Sequence, residues 1–152
     1  AIETSGHGAL SENYYLDDGA YLAVKLIIAA AKAHAEGRTL GDLIAHLRHP
    51  AEAREIRIKV VGQDDPKAYG KEVLAAFEER AQAKGLTIAS PSYEGVRIVM
   101  AGGWALLRMS LHDPNMPLNV EADAPGGADA IERTAKELLA GFDALDLSGF
   151  RS

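Results

Sequence analysis

Three side chains that could bind an anion fall on alternating positions of one short segment. Arg108, Ser110 and His112 follow the apolar run 104–107, and Pro114 ends the segment. The planar guanidinium of arginine matches the oxygens of a phosphate group, and a hydroxyl adds one more donor. A loop that follows a strand can also turn consecutive backbone N–H groups toward one anion. The residue types predict a phosphate-sized anion site where a strand becomes a loop. The alternative is an ordinary hairpin turn with a surface arginine.

The same segment resembles the phosphate-binding loop in the last domain of the α-D-phosphohexomutases, the family of phosphoglucomutase and phosphomannomutase. That loop has a pattern close to R-x-S-G-T-E-P, and Arg108, Ser110 and Pro114 match it. The resemblance implies that Arg108 is the main ligand of a substrate phosphate. Ser110 and the backbone N–H groups of the loop would bind the same phosphate.

The segment departs from the family pattern at four positions. Leu111 replaces the glycine, His112 replaces the threonine, Asp113 replaces the glutamate, and Asn119 stands where the family has a second arginine. The resemblance still places Leu111, His112 and Asn119 among the phosphate-binding residues. His112 would add a pH-dependent donor, whereas Asn119 removes a fixed positive charge. We therefore expect weak binding, on the order of millimolar, which is about -4 kcal/mol.

A second resemblance lies at the N-terminus, in the string Glu3-Thr4-Ser5-Gly6-His7. Taken alone, these residues could form a hydrogen-bonding loop for sugar hydroxyls or a disordered terminus. The string is similar to the G-E-x-S-G-H sugar-binding loop at the end of the third domain of the phosphohexomutases. The resemblance implies that Glu3 and Ser5 contact hexose hydroxyls and that His7 lines the same site.

The first 50 residues are predicted to form a loop, residues 1–17, followed by two helices. Apolar spacing predicts a helix over 19–35, with Asp18 as its N-cap and Gly37 just beyond its end. Thr39 and Asp42 resemble a capping box and predict a short helix to about residue 47. By resemblance, residues 1–50 are the end of the third, sugar-binding domain.

Residues 51–152 predict a second, C-terminal domain that binds phosphate. The expected order is β-α-β-β-β-β-α, with a frayed tail from residue 146. Such an order favours an α+β fold, in which helices pack on one face of a mostly antiparallel sheet. It resembles the last domain of the phosphohexomutases, whose fold is like that of the TATA-box-binding protein. The expected strands are 55–61, 86–90, 95–100, 104–109 and 118–121, and the expected helices are 66–84 and 128–145.

Composition narrows the classes of partner. The net charge of -6 argues against a general nucleic-acid binder, which usually has a basic surface. The longest apolar stretch, residues 20–33, is too short to span a bilayer and contains two lysines. The chain has no cysteine, which excludes disulfides and thiolate catalysis and is compatible with a reducing cytoplasm.

The resemblance implies a function for the longer protein. Phosphohexomutases interconvert hexose 1-phosphate and hexose 6-phosphate through a hexose 1,6-bisphosphate, with a phosphoserine as donor and Mg2+ assisting. Their phosphoserine loop resembles T-A-S-H-N-P and their metal loop D-G-D-G-D-R, and neither string occurs in this sequence. Phosphoryl transfer depends on the positioning of donor, metal and acceptor. We therefore expect a C-terminal fragment without catalytic residues or metal ligands, which is inactive alone.

The expected partners are a hexose phosphate and the missing N-terminal domains of the same enzyme. The fragment could also associate with itself through the apolar side of its first helix. The alternative function is that of a stand-alone α+β module that binds a ligand or a partner without catalysis. That alternative treats both loop resemblances as coincidences.

Overall fold

The structure is a computed structural model in which residues 6–151 are described. The chain divides into two compact units that meet between His49 and Pro50. Among the described residues, no helix combines the length and the apolarity needed to cross a membrane.

Local capping signals set the helices of the first unit. Helix α1 spans Gly19–Ala35, as predicted, and Asp18 Oδ1 accepts a hydrogen bond from the Tyr21 N–H at 3.0 Å. Gly37 follows the end of the helix with a positive φ of 71°. This left-handed conformation is the usual conformation of a residue just beyond a helix.

Helix α2 spans Leu40–Leu43 and begins with the predicted capping box between Thr39 and Asp42. It ends earlier than predicted, because the hydrogen bonds that follow it connect residues three apart. The Ile44 N–H donates to the Gly41 carbonyl at 3.1 Å, which is the tighter turn common at helix ends. A short 3-10 turn, Ser11–Asn13, precedes α1.

The second unit is an α+β fold built on a six-stranded sheet in the order β2-β3-β4-β5-β1-β6. Every strand pairing in the described sheet is antiparallel, which confirms the predicted fold class. Its strands are β1 (Glu52–Val60), β2 (Thr87–Ile88), β3 (Val96–Met100), β4 (Gly103–Leu107), β5 (Asn115–Ala122) and β6 (Leu145–Asp146). Its helices are α3 (Pro66–Ala83) and α4 (Gly127–Leu138).

Both helices of this unit cover one face of the sheet. Phe77 of α3 and Ile131 of α4 belong to the same buried cluster as Ile58, Leu107 and Leu118 of the strands. Successive residues of a strand point to opposite faces. The intervening residues therefore form the other face, which we call the open face. On the strands β1, β4 and β5, the open face includes Glu55, Arg57, Trp104, Leu106, Asn119 and Glu121.

The end of the chain differs from the prediction. Helix α4 ends at Leu138, and residues 145–146 return to the sheet as β6 beside β1. Arg80 of α3 stabilises this end, since its Nη1 donates to the carbonyls of Leu138 at 2.7 Å and Ala140 at 2.8 Å. The tail is not frayed, because Phe150 is buried in the core.

An ion cluster ties β1 to the start of α4. Arg54 lies 2.6 Å from Asp129 and 2.7 Å from Glu132, which is itself buried. The Glu52 carboxylate accepts from the Ala128 N–H at 3.0 Å and so satisfies a donor in the first turn of α4. Hydrogen bonds to Asp129 and Glu132 raise the pKa of Arg54. These contacts stabilise the packing of α4 against β1.

Candidate functional site

Arg108 leaves the sheet at the end of β4, on the open face. Its N–H donates to the Pro117 carbonyl of β5 at 3.1 Å. Pro117 has no N–H to return, so this residue pair has one backbone hydrogen bond where two would otherwise form. The next residue, Met109, turns to the helix side and lies against Gly70 of α3, where a Cβ would come within 2.6 Å of the Met109 sulfur.

The backbone of Gly95, the residue just before β3, also approaches Arg108 closely. A Cβ on Gly95 would lie 2.2 Å from the Leu107 carbonyl oxygen and 2.9 Å from the Arg108 Cβ. Gly95 also has a φ of 119°, a conformation that other residues rarely adopt. Only glycine fits here, and the stem of Arg108 is fixed from this side.

The loop after Arg108 folds around one hydroxyl. The Ser110 Oγ accepts from the N–H groups of His112 at 3.4 Å and Asp113 at 3.2 Å. The Ser110 N–H donates to the Asn115 carbonyl at 3.0 Å, which closes the loop. Two of the N–H groups expected to face an anion are therefore turned toward Ser110, whose own hydroxyl hydrogen can still be donated.

The tip of the loop is exposed. Leu111 is 75% exposed, and His112 is exposed beside it. The return of the loop is held by β1, because the Val60 N–H donates to the Pro114 carbonyl at 2.9 Å. An anion could therefore reach the tip without a rearrangement of the sheet.

Asn119 lies on the open face, opposite Leu106 on one side and Glu55 on the other. Its Nδ2 donates to Glu55 Oε2 at 3.4 Å. The structure thus places Asn119 on the same face as Arg108 but gives it a carboxylate partner.

Arg57 on β1 is a residue that sequence reasoning missed. Its Nε donates to Glu55 Oε1 at 2.7 Å, and it lies opposite Pro117 in the register. The guanidinium of Arg57 holds the pKa of Glu55 below its ordinary value of 4.5, with Asn119 and Arg108 acting in the same direction. The charged-apolar alternation of β1 could have placed Arg57 on a polar face, but not beside Pro117.

The predicted sugar loop is only partly described. Glu3 and Ser5 lie outside the described residues. His7 Nδ1 lies 2.7 Å from Asp17 Oδ2, and both residues line a depression with Gly6 and Gly19.

The resemblance implies a Mg2+ ion in the complete enzyme, which oxygen ligands such as carboxylates would hold. Among residues 6–151, no group of three or more histidine, aspartate or glutamate side chains could hold a metal ion. The described residues therefore do not fit a Mg2+ site.

Comparison with known proteins identifies the family. The chain is 32% identical over 133 residues to the phosphomannomutase/phosphoglucomutase of Pseudomonas putida, which covers 87% of this chain. It is 33% identical over 138 residues to the protein of the same name from Pseudomonas syringae pv. tomato. The chain belongs to the phosphomannomutase/phosphoglucomutase family. This finding confirms the family suggested by the resemblance of the two loops.

The matches to this phosphohexomutase family extend over most of the chain but only part of each relative. The chain spans 27% of the length of the P. putida protein and 26% of that from P. syringae. A probable phosphoglucosamine mutase of Methanocella arvoryzae is 24% identical over 137 residues. All three relatives carry the names of mutases, which are isomerases, and their greater length fits a fragment of a longer protein.

A solved structure supports the fold. The chain aligns with a phosphoglucomutase/phosphomannomutase family protein from Burkholderia thailandensis at a TM-score of 0.63. The alignment covers 92% of this chain and 28% of that one at 20% identity, so it bears on the fold alone. No family model matches the chain.

Proposed function

We propose that this chain is the C-terminal part of a phosphohexomutase that interconverts hexose 1-phosphate and hexose 6-phosphate. In this proposal the second unit binds the non-reacting phosphate of the substrate. The observation that carries it is the placement of Arg108 and Ser110 at one corner of a rigid sheet, in a chain related to phosphomannomutases and phosphoglucomutases.

The corner suits a phosphate better than a sugar. A guanidinium offers two parallel N–H donors to two oxygens, and the Ser110 hydroxyl offers a third donor. None of these groups needs to recognise the carbon skeleton of the ligand. A substrate that must present each of its ends in turn to one phosphoserine needs such a site, because either of its phosphates can then occupy it.

The chain alone should not catalyse the reaction. Phosphoserine and Mg2+ would supply the donor and the charge stabilisation in the complete enzyme, and neither loop occurs in this sequence. The phosphoserine and metal loops would therefore belong to domains that precede this chain, and the reacting end of the hexose 1,6-bisphosphate would lie there. Arg108 and Ser110 would orient the distal phosphate and would not act on the reacting bond.

The first unit supports the same assignment. Ile27 of α1 is 66% exposed, although the apolar residues of this helix are spaced as in a helix that packs one side against a protein core. A domain outside this chain would cover it. By the family resemblance, Glu3, Ser5 and His7 would contact the hexose hydroxyls.

The direct test is an NMR titration of the chain with sulfate and with a hexose phosphate. We expect shifts centred on residues 108–113, with a dissociation constant on the order of millimolar. Arg108→Ala should abolish these shifts. Arg133→Ala is the matched control, because Arg133 is an exposed arginine on α4, on the other side of the sheet. Shifts centred elsewhere, or unchanged in Arg108→Ala, would refute the proposal.

A second test asks whether the chain acts alone. The purified chain, given Mg2+ and hexose 1,6-bisphosphate, should not convert hexose 1-phosphate to hexose 6-phosphate in a coupled assay. A heat-treated sample and a complete phosphomannomutase are the two controls. Conversion above the heat-treated background would show that the donor loop is not required and would contradict the proposal.

A further inference from the structure

We infer that Arg57 of β1 supplies the second guanidinium of the phosphate site, and that Glu55 neutralises it while the site is empty. The inference rests on the proposed function, since it assigns a further ligand to the same phosphate. It concerns a residue that lies outside the loop pattern and 51 positions before Arg108 in the printed sequence.

The register places the two arginines on opposite sides of one residue. Arg57 is paired with Pro117 across the β1–β5 ladder, and the Arg108 N–H donates to the Pro117 carbonyl from β4. Two strand spacings separate their backbones, which is roughly 10 Å. Both side chains stand on the open face, and two extended arginines can converge on one phosphate over this distance.

The loop itself returns beside Arg57. Lys59 is paired with Asn115, and the next residue of β1 donates to the Pro114 carbonyl. The negative charge of Asp113 adds to that of Glu55 in raising the pKa of Arg57. Arg57 therefore lies within electrostatic reach of the loop that carries Ser110.

The Glu55 carboxylate is the anionic partner of Arg57 when no ligand is bound. One carboxylate oxygen accepts from Arg57 at 2.7 Å, and the other accepts from Asn119 at 3.4 Å. Arg57 is 71% exposed at its side chain, so its remaining N–H donors face solvent and can be reached by a ligand. A phosphate dianion would compete with Glu55 for Arg57 and would be repelled by the charge of Glu55.

These roles predict opposite effects for the two partners of one ion pair. Arg57→Ala removes a donor and should weaken sulfate binding about tenfold, as expected for a hydrogen bond between charged groups. Glu55→Gln removes the competing charge and should strengthen binding several-fold. A role of the pair in folding alone would not give opposite signs.

The decisive measurement is the effect of Arg57→Ala in the Glu55→Gln background, followed by NMR with sulfate. If Arg57 binds the ligand, the double variant should bind about tenfold more weakly than Glu55→Gln alone. If Arg57 only neutralises Glu55, removing it from a chain without that carboxylate should change affinity no more than Arg133→Ala does. That second result overturns the inference.

The outcomes separate this inference from the proposed function. If Arg108→Ala loses binding but the double variant binds sulfate as well as Glu55→Gln does, the proposed phosphate site is supported and Arg57 is not part of it. Chemical shift changes that persist in Arg108→Ala would contradict both the proposed phosphate site and the role of Arg57 in it. The amide spectra of all variants report whether the sheet is intact, and Arg57 and Glu55 are exposed residues whose exchange should leave it so.

Discussion

Helices α1 and α4 use apolar residues in different ways. Helix α4 has 12 residues and buries Ile131 and Leu138 against the sheet of its own unit. Helix α1 is longer, with 17 residues, yet Ala33 is its one buried residue, and Val24 is 54% exposed. Isolated helices are marginal in water, and most of their stability in proteins comes from packing. The second unit thus carries its own core, whereas α1 presents a surface that suits contacts with another chain segment or another copy.

The largest expected difference between the units is in the cost of losing one apolar side chain. Phe77 of α3 is fully buried, and Phe77→Ala should lower the free energy of unfolding by about 3–5 kcal/mol. Ile27→Ala in α1 should change it by no more than about 0.5 kcal/mol. Urea unfolding followed by far-ultraviolet circular dichroism is a suitable measurement, because it reports on the helices of both units, whereas the single tryptophan, Trp104, reports on the second unit. Equal effects of the two substitutions would contradict the comparison.

A smaller effect should follow from filling the space between β3 and Arg108. Gly95→Ala places a methyl group against the Leu107 carbonyl and should destabilise the second unit by about 1–3 kcal/mol. It should also displace Arg108 and weaken sulfate binding. Gly62→Ala is a control at a glycine whose φ, 68°, is also positive but which has no atom within 4 Å of the added carbon. If both variants lose the same stability and neither loses binding, the close approach is unimportant.

The apolar side of α1 should drive weak self-association. Ile27→Ser should raise the dimer dissociation constant by about tenfold to a hundredfold, since burial of an isoleucine in a contact is worth about 1.5–3 kcal/mol. Light scattering over a range of concentrations measures this change. Lys32→Ser on the same helix is the control and should leave association unchanged. A chain that stays monomeric at high concentration would remove the prediction.

Acid should weaken the second unit modestly. Ion pairs and hydrogen bonds hold the pKa of several of its carboxyls below ordinary values of 4.5 for glutamate and 3.8 for aspartate. A carboxyl with a lowered folded-state pKa stabilises the fold fully above its ordinary pKa and loses that contribution as pH falls through the lowered value. Stability should therefore be level above about pH 5 and fall below pH 4. The carboxyls concerned are Glu52, Glu55, Asp129, Glu137 and Asp146.

The acid prediction can be checked at one ion pair. Lys84 and Glu137 join α3 to α4 at 2.5 Å, and both side chains are about half exposed. Glu137→Gln should reduce the loss of stability between pH 5 and 3, as measured by urea unfolding at each pH. An unchanged slope would show that this pair adds nothing, as is common for surface ion pairs.

Much of the fold could be predicted because its signals are local. Asp18, Thr39 and the Asp65-Pro66 pair mark helix starts through bonds that span two or three residues. The end of α4 could not be predicted in this way. It depends on Arg80, which lies 58 residues before Leu138 in sequence and binds its carbonyl. Sequence periodicity alone continues the helix to residue 145.

The residues of the candidate site also differ in whether local sequence signals can predict them. Arg108 and Ser110 lie two residues apart and can be recognised from a short pattern. Arg57 and Glu55 join them only through the register of β1 against β5, which is set by the whole core face. The alternation of side chains along a strand predicts which residues share a face, but it does not predict which residue lies opposite Pro117.

Pro117 has a consequence for how such a site can vary between relatives. A proline is unusual inside a central strand because it cannot donate to the ladder. Here it removes one of the two hydrogen bonds that could join it to Arg108, while β5 continues beside β1 as far as Asn115. Because β1 holds this part of β5, exchanges at the loop tip, residues 111–113, need not shift the register of the sheet. Ligand preference could diverge by exchange of the loop tip, while Arg108 stays in place.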